Sequence, residues 1–289
     1  RHKDIKMKKW RGLLFILLAA AQLSGCRMYW KHSDANEYYR RGRYPVDGRN
    51  FSPVDKYLAN QTEPVEDDAE GALNPYVLRV IEAYPKDGSY PYRCIKAPEY
   101  DLYLGVTQNL YYKGRILAKA HPNNTRCSYC CGLTFEIFVR AMQLRNMQKG
   151  MDPDDFNGMS FYDLFNLLQI WFIEGSGDSP QKGIEYYGLG KKIEDWEEAR
   201  AGDFMDLSRN NRSGHSVIFI EWVRDDAGKI IGLKYFSSNK SGVGYLTEYF
   251  SDSGGKVLRK WIRLARVGSV ENYKPFDRLK IPLRRAYAP

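Results

Sequence analysis

Apolar residues recur at steps of three and four in two long stretches of the chain. Over 130–147 the recurring positions are Leu133, Ile137, Phe138, Ala141, Met142 and Leu144. That period predicts an amphipathic helix. Residues 161–173 predict a second, strongly apolar helix, and Val77, Val80 and Ile81 a shorter one over 76–84. A further helical candidate covers 195–200. Residues 102–118 read instead as extended structure, with a turn at Lys113-Gly114. Toward the C-terminus the period changes. Residues 216–223 are almost continuously apolar, as in a central strand, and Asp225-Asp226-Ala227-Gly228 reads as a hairpin-type turn. The return strand is expected over 230–236, with further strands over 244–250 and 256–267. A strand over 204–207 would leave Asp203 and Asp206 at the surface or in turns. Helices first and an antiparallel sheet afterwards predict an α+β domain. Residues 27–71 have no sustained period. They read as a tether and irregular arm, with the acidic cluster Glu63, Glu66, Asp67, Asp68 and Glu70 solvated.

The 289 residues are 43% hydrophobic, enough for a sizeable core, and the mean hydropathy of −0.55 argues against a polytopic membrane protein. The formal charge of +9 raises the question of nucleic acid. Its distribution answers that. Residues 1–26 hold six Lys and Arg and one Asp, a balance of +5, and the rest of the chain keeps only +4. The segment has a basic start (Lys8, Lys9, Arg11), an apolar run over 13–21 and the ending Leu23-Ser24-Gly25-Cys26. This is the layout of a secretory signal. The ending resembles the bacterial lipobox, which implies acylation of Cys26 and a lipid anchor in the membrane. Arg27 rather than Asp follows. By the Gram-negative sorting rule that implies the outer membrane, facing the periplasm. The remaining mild positive balance suits an anionic envelope polymer and gives no argument for nucleic acid.

The chemistry is concentrated in two places. Cys130-Cys131-Gly132-Leu133 opens the long helix. A thiol there meets unpaired N–H groups and the positive end of the helix dipole, which favour a thiolate and a developing oxyanion. Four histidines occur, of which His2 and His32 lie in the signal and tether. His121 and His215 remain as possible bases. His215 opens the 216–223 strand. Pairing through the Asp225–Gly228 turn brings Asn239 back toward it, so that an Asn carbonyl can orient the imidazole. Cys127 and Cys131 stay open as alternative nucleophiles. Cys127-x-x-Cys130 also reads as a zinc half-site, but a structural zinc needs a second ligand pair that the neighbourhood lacks. No phosphate loop, H-E-x-x-H or G-x-S-x-G occurs in the chain.

The order Cys130-Cys131-Gly132-Leu133, Gly202-Asp203-Phe204, Gly214-His215-Ser216-Val217, then Asn239 resembles the NlpC/P60 and CHAP families of papain-like cysteine peptidases and amidases. The likeness covers about 123–250. It departs from the pattern at Cys131 and Tyr129, where the families carry Ser and often Asp, and at Ser237, which replaces a Glu. It implies a papain-like fold over 72–289, with the nucleophile helix on an antiparallel sheet. It further implies amide hydrolysis by Cys130, His215 and Asn239 and an oxyanion helper at Asn124. The substrate would be peptidoglycan or another peptide or amide, with no cofactor or metal. A monomer is expected, and a Cys94–Cys127 disulfide is compatible with this reading. The alternative is a non-enzymatic envelope lipoprotein whose degenerate papain-like domain binds the cell wall or a partner protein.

Overall fold

The computed structural model describes residues 63–94, 103–123, 126–173, 179–268, 272–277 and 280. Cys26 and Asn124 lie outside them. Among the described residues there are four α-helices, a two-stranded hairpin and a six-stranded antiparallel sheet, an α+β arrangement.

Helix α1 (Asn74–Glu82) begins with a proline in its first turn and buries Tyr76, Val77, Val80 and Ile81. Strands β1 (Leu110–Tyr112) and β2 (Arg115–Ala118) form the expected hairpin. Lys113 and Gly114 both take positive φ (48° and 70°), the requirement of a tight two-residue turn. Helix α2 (Cys130–Gln148) departs from the expected amphipathic form, because its polar residues Thr134, Glu136, Arg140 and Asn146 are buried along with its apolar ones. It packs against α1 and α3 as well as the sheet. Internal pairing makes this tolerable. Glu136 binds Arg140 at 3.0 Å and accepts from the Thr107 backbone N–H and hydroxyl. Gly132 lets α2 come up against Gly105, whose carbonyl would lie 2.2 Å from any Cβ at that position. Helix α3 (Phe161–Ile173) starts at a reciprocal cap. The Asp163 N–H donates to Ser160 Oγ, and the Ser160 hydroxyl donates to the Asp163 carboxylate.

The sequence pattern gave no sign of helix α4 (Ser179–Tyr186) or strand β3 (Gly190–Ile193). Both are short, and their apolar residues are too sparse to declare a period. The helical candidate at 195–200 is a single 3₁₀ turn, Trp196–Glu198, capped by Asp195. The expected strand over 256–267 is divided, because a 3₁₀ turn (Arg259–Trp261) precedes β8 (Arg263–Val267).

The remaining strands are β4 (Phe204–Ser208), β5 (Gly214–Arg224), β6 (Ile230–Asn239) and β7 (Gly242–Tyr249), and the sheet order is β3-β8-β4-β5-β6-β7. Alternation sorts their side chains onto two faces. Phe204, Ile218 and Phe236 stand side by side against the helices. Leu207, Val217, Phe219 and Tyr235 face the other way, into a second apolar cluster. Val257 bridges both Arg209, beyond the end of β4, and Phe250, beyond the end of β7, so strands β4 to β7 curl around that inner cluster.

Asp203 is neither a surface nor a turn-exposed residue. It is fully buried and accepts from Arg266 Nε and Nη2 at 2.8 Å each, from the Arg200 N–H at 2.8 Å and from Asn74 Nδ2 at 2.9 Å. The described end of the arm is irregular, as expected, but three of its acids are paired. Asp67 meets Lys149, while Asp68 and Glu70 meet Arg200.

Candidate functional site

Two constellations lie at one end of the sheet. The first is the thiol group at the start of α2. Tyr129 is the N-cap in extended conformation, with no side-chain cap on the first turn. Just before it, Ser128 is bound in an extended bridge to Tyr92, donating its N–H to Pro91 O and accepting from the Arg93 N–H. Cys127, Cys130 and Cys131 are 2%, 8% and 6% exposed. No disulfide joins Cys94 to Cys127; Cys94 is exposed and Cys127 buried.

The second is the His215–Asn239 pair. His215 Nε2 lies 3.1 Å from Asn239 Oδ1. The amide orientation follows from its other bonds, since Asn239 Nδ2 donates to Ser237 O and Gly244 O. Its carbonyl oxygen therefore faces the ring and can only accept, so Nε2 carries a proton, and in the neutral ring Nδ1 is the basic nitrogen. The ring also meets Tyr235 edge-on, with centroids 5.5 Å apart.

Two hydroxyl contacts tie these groups together. Ser128 Oγ donates to Ser238 Oγ, and Thr134 Oγ1 shares a hydrogen bond with Ser216 Oγ, both at 2.9 Å. Ser216 follows His215 in the chain and Ser238 precedes Asn239. The segment 128–134, which contains Cys130, is thus fastened to the immediate neighbours of both polar residues. Strand alternation gives the arrangement a definite sense. Ser216 and Ser238 point to α2, whereas His215 and Asn239 turn to the inner face of the curl. Contact between the thiol and the ring has to be made around the open strand ends, not through the sheet.

His121 is elsewhere. It pairs with Asn123 and packs edge-on against Tyr103, which in turn meets Tyr129. Among the described residues no group of three His, Cys, Asp or Glu side chains is disposed to hold a metal ion.

Three residues beside His215 escaped the sequence reading. Glu248 accepts from Arg209 Nε at 2.7 Å, from Arg209 Nη2 and from the Tyr235 hydroxyl. Burial opposes its charge, but the bonds from Arg209 and Tyr235 prevail and hold its carboxyl below the usual range. Burial first, and then the Glu248 charge, push the Tyr235 phenol far up, so it stays a donor. Alternation in β7 turns Glu248 inward, but only the register with β6, where it faces Leu233, puts it beside Tyr235.

No family model, curated protein or solved structure matches this chain.

Proposed function

We propose that the chain is a thiol-dependent amide hydrolase of the bacterial envelope, of papain-like arrangement, acting on peptide bonds of peptidoglycan. Cys130 attacks the carbonyl. His215 takes the thiol proton at Nδ1 and returns it to the leaving amine; water, deprotonated by the same nitrogen, then cleaves the Cys130 thioester and releases the acid, while Asn239 holds the tautomer. The N–H groups at the start of α2, where the Tyr129 side chain makes no cap bond, receive the oxyanion. The observation that carries this reading is the fixed His215–Asn239 pair, with its Nδ1 lone pair available, at the end of the sheet to which Ser128 and Thr134 fasten the first turn of α2. A lipid anchor at Cys26 would keep the enzyme at the membrane facing the wall.

The test is digestion of purified peptidoglycan by the mature chain, with products read by mass spectrometry. New peptide termini are expected with the wild type and not with Cys130→Ala. Identical products from both reject wall hydrolysis by this thiol.

One observation favours a binding-only protein. The His215 ring faces the inner side of the curl, while α2 covers the outer side. A binding-only protein would have a slow, His-independent thiol and would retain wall affinity without making any cut.

A further inference from the structure

The proposed reaction needs the His215 ring held still, and the Asn239 carbonyl alone does not do this. One hydrogen bond at Nε2 leaves the imidazole able to swing about its side-chain torsions, carrying Nδ1 with it. The ring's aromatic contact is Tyr235, with centroids 5.5 Å apart and planes at 74°. Edge-on packing at this distance is a favourable arrangement of two rings.

Faces and register agree with the contact. Continued from Ile218–Phe236 and Phe219–Tyr235, the β5–β6 register sets His215 opposite Asn239. Positions 215, 235 and 239 then all lie on the inner face of the curl. The inner-face position between Tyr235 and Asn239 is Ser237, and its partner on β7 is Gly244. Neither carries a bulky side chain, which leaves the Tyr235 ring room to lean along the strand toward the imidazole.

Tyr235 is itself fastened. It is fully buried, its hydroxyl donates to Glu248, and it accepts from Arg209 Nη2 at 3.4 Å. Glu248 in turn accepts from Arg209 Nε at 2.7 Å. Glu248 comes from β7 and Arg209 from just beyond β4, so the phenol is anchored from two sides of the curl. The Glu248 oxygens are taken up by Arg209 and Tyr235, which leaves the Nε2 proton of His215 to Asn239.

We propose that Tyr235 is a positioning residue for His215: its ring, anchored through the hydroxyl on the Glu248–Arg209 pair, keeps the imidazole on Asn239 and so fixes where Nδ1 points. The proposal rests on the hydrolase reading for its effect on rate, though not for the ring contact. A shift of about 1 Å at a reacting atom can cost about a hundredfold in rate.

The test uses the chain from residue 27 onward, with nitrogen-15 in its histidines. NMR reads the His215 ring, and the rate of thiol labelling at Cys130 is measured beside it. The wild type is expected to show one tautomer, protonated at Nε2, and close contacts between the ring protons of His215 and Tyr235. Tyr235→Phe keeps the ring and should retain that tautomer, with labelling within about threefold of wild type. Tyr235→Leu removes the wall and should give mixed tautomers, with labelling slower by about tenfold or more. Glu248→Gln loosens the anchor and should fall between the two. A single Nε2–H tautomer in Tyr235→Leu, or a Tyr235→Phe that behaves like Tyr235→Leu, overturns the assignment. Absence of the ring-to-ring contacts in the wild type also overturns it, and that measurement serves if Tyr235→Leu does not fold. A ring that responds to Tyr235 as expected, with Cys130 labelling equally slow in wild type and every variant, leaves the positioning contact standing and rejects the hydrolase reading instead.

Discussion

Replacing Asp203 by Ala should be among the most destabilising single changes in the molecule. The carboxylate is fully buried and serves four donors, from Arg266 twice, the Arg200 backbone and the Asn74 amide. It joins the start of β4 to β8 and to the first residue of α1. Truncation leaves the Arg266 guanidinium, 3% exposed, without its counter-charge. Removing one partner of such a pair costs roughly 3–5 kcal/mol. The N–H groups of Arg200 and Asn74 also lose their acceptor, so the upper part of that range is expected. For a domain of roughly 200 residues each kcal/mol lowers Tm by about 2–4 °C, giving a fall of roughly 6–20 °C. The assay is urea unfolding followed by tryptophan fluorescence, with a thermal melt beside it. A paired variant, Asp203→Leu with Arg266→Met, removes both charges and should be less damaging than Asp203→Ala alone. A loss under 1 kcal/mol for Asp203→Ala, or simple additivity in the double variant, would refute the argument that this pair locks β4, β8 and α1 together.

Two other outcomes follow from the packing and the electrostatics. Gly132→Ala should destabilise by about 1–3 kcal/mol in urea unfolding, because the new methyl meets the Gly105 carbonyl at 2.2 Å and α2 has to move; a neutral result contradicts the close approach. Glu248→Gln should lower stability near neutral pH by about 1–3 kcal/mol, through the loss of its charged bonds to Arg209 and Tyr235. The Glu248 carboxyl is depressed in the folded state, so its contribution is present above its unfolded value of about 4.3 and disappears as pH falls through the folded value. The gap between wild type and variant should therefore narrow in acid; a gap that widens on acidification contradicts the sign.

Much of the architecture could be read from residue periods. The two long helices, the Lys113-Gly114 turn and the β5–β6 hairpin lie where the pattern puts them, because helical periods, a continuous apolar run and turn residues each mark them locally. Helix α2 differs in kind from its sequence pattern. Its buried Glu136 and Arg140 look solvent-facing in a sequence, and only the fold supplies Thr107 and the internal pair that satisfy them. Helix α4 and β3 had too few apolar positions to declare themselves. Asp203 looks like a surface residue in the sequence because its partners, Asn74 and Arg266, are distant in the chain. At the site, the hairpin argument anticipated the meeting of His215 and Asn239, since a single turn sets their register. Glu248 and Arg209 were not legible, because their contact depends on the curl closed by Val257.

The central claim is that Cys130 is a nucleophile served by His215. It is tested most directly by the rate of thiol labelling of the chain from residue 27 onward, resolved by residue through mass spectrometry, between pH 6 and 8. The expected result is rapid modification of Cys130 relative to Cys127 and Cys131. That rate should fall at least tenfold in His215→Ala and by a smaller factor in Asn239→Ala, with labelling of the exposed Cys94 unchanged. Equal, slow labelling of Cys130 in the wild type and in His215→Ala would contradict the account.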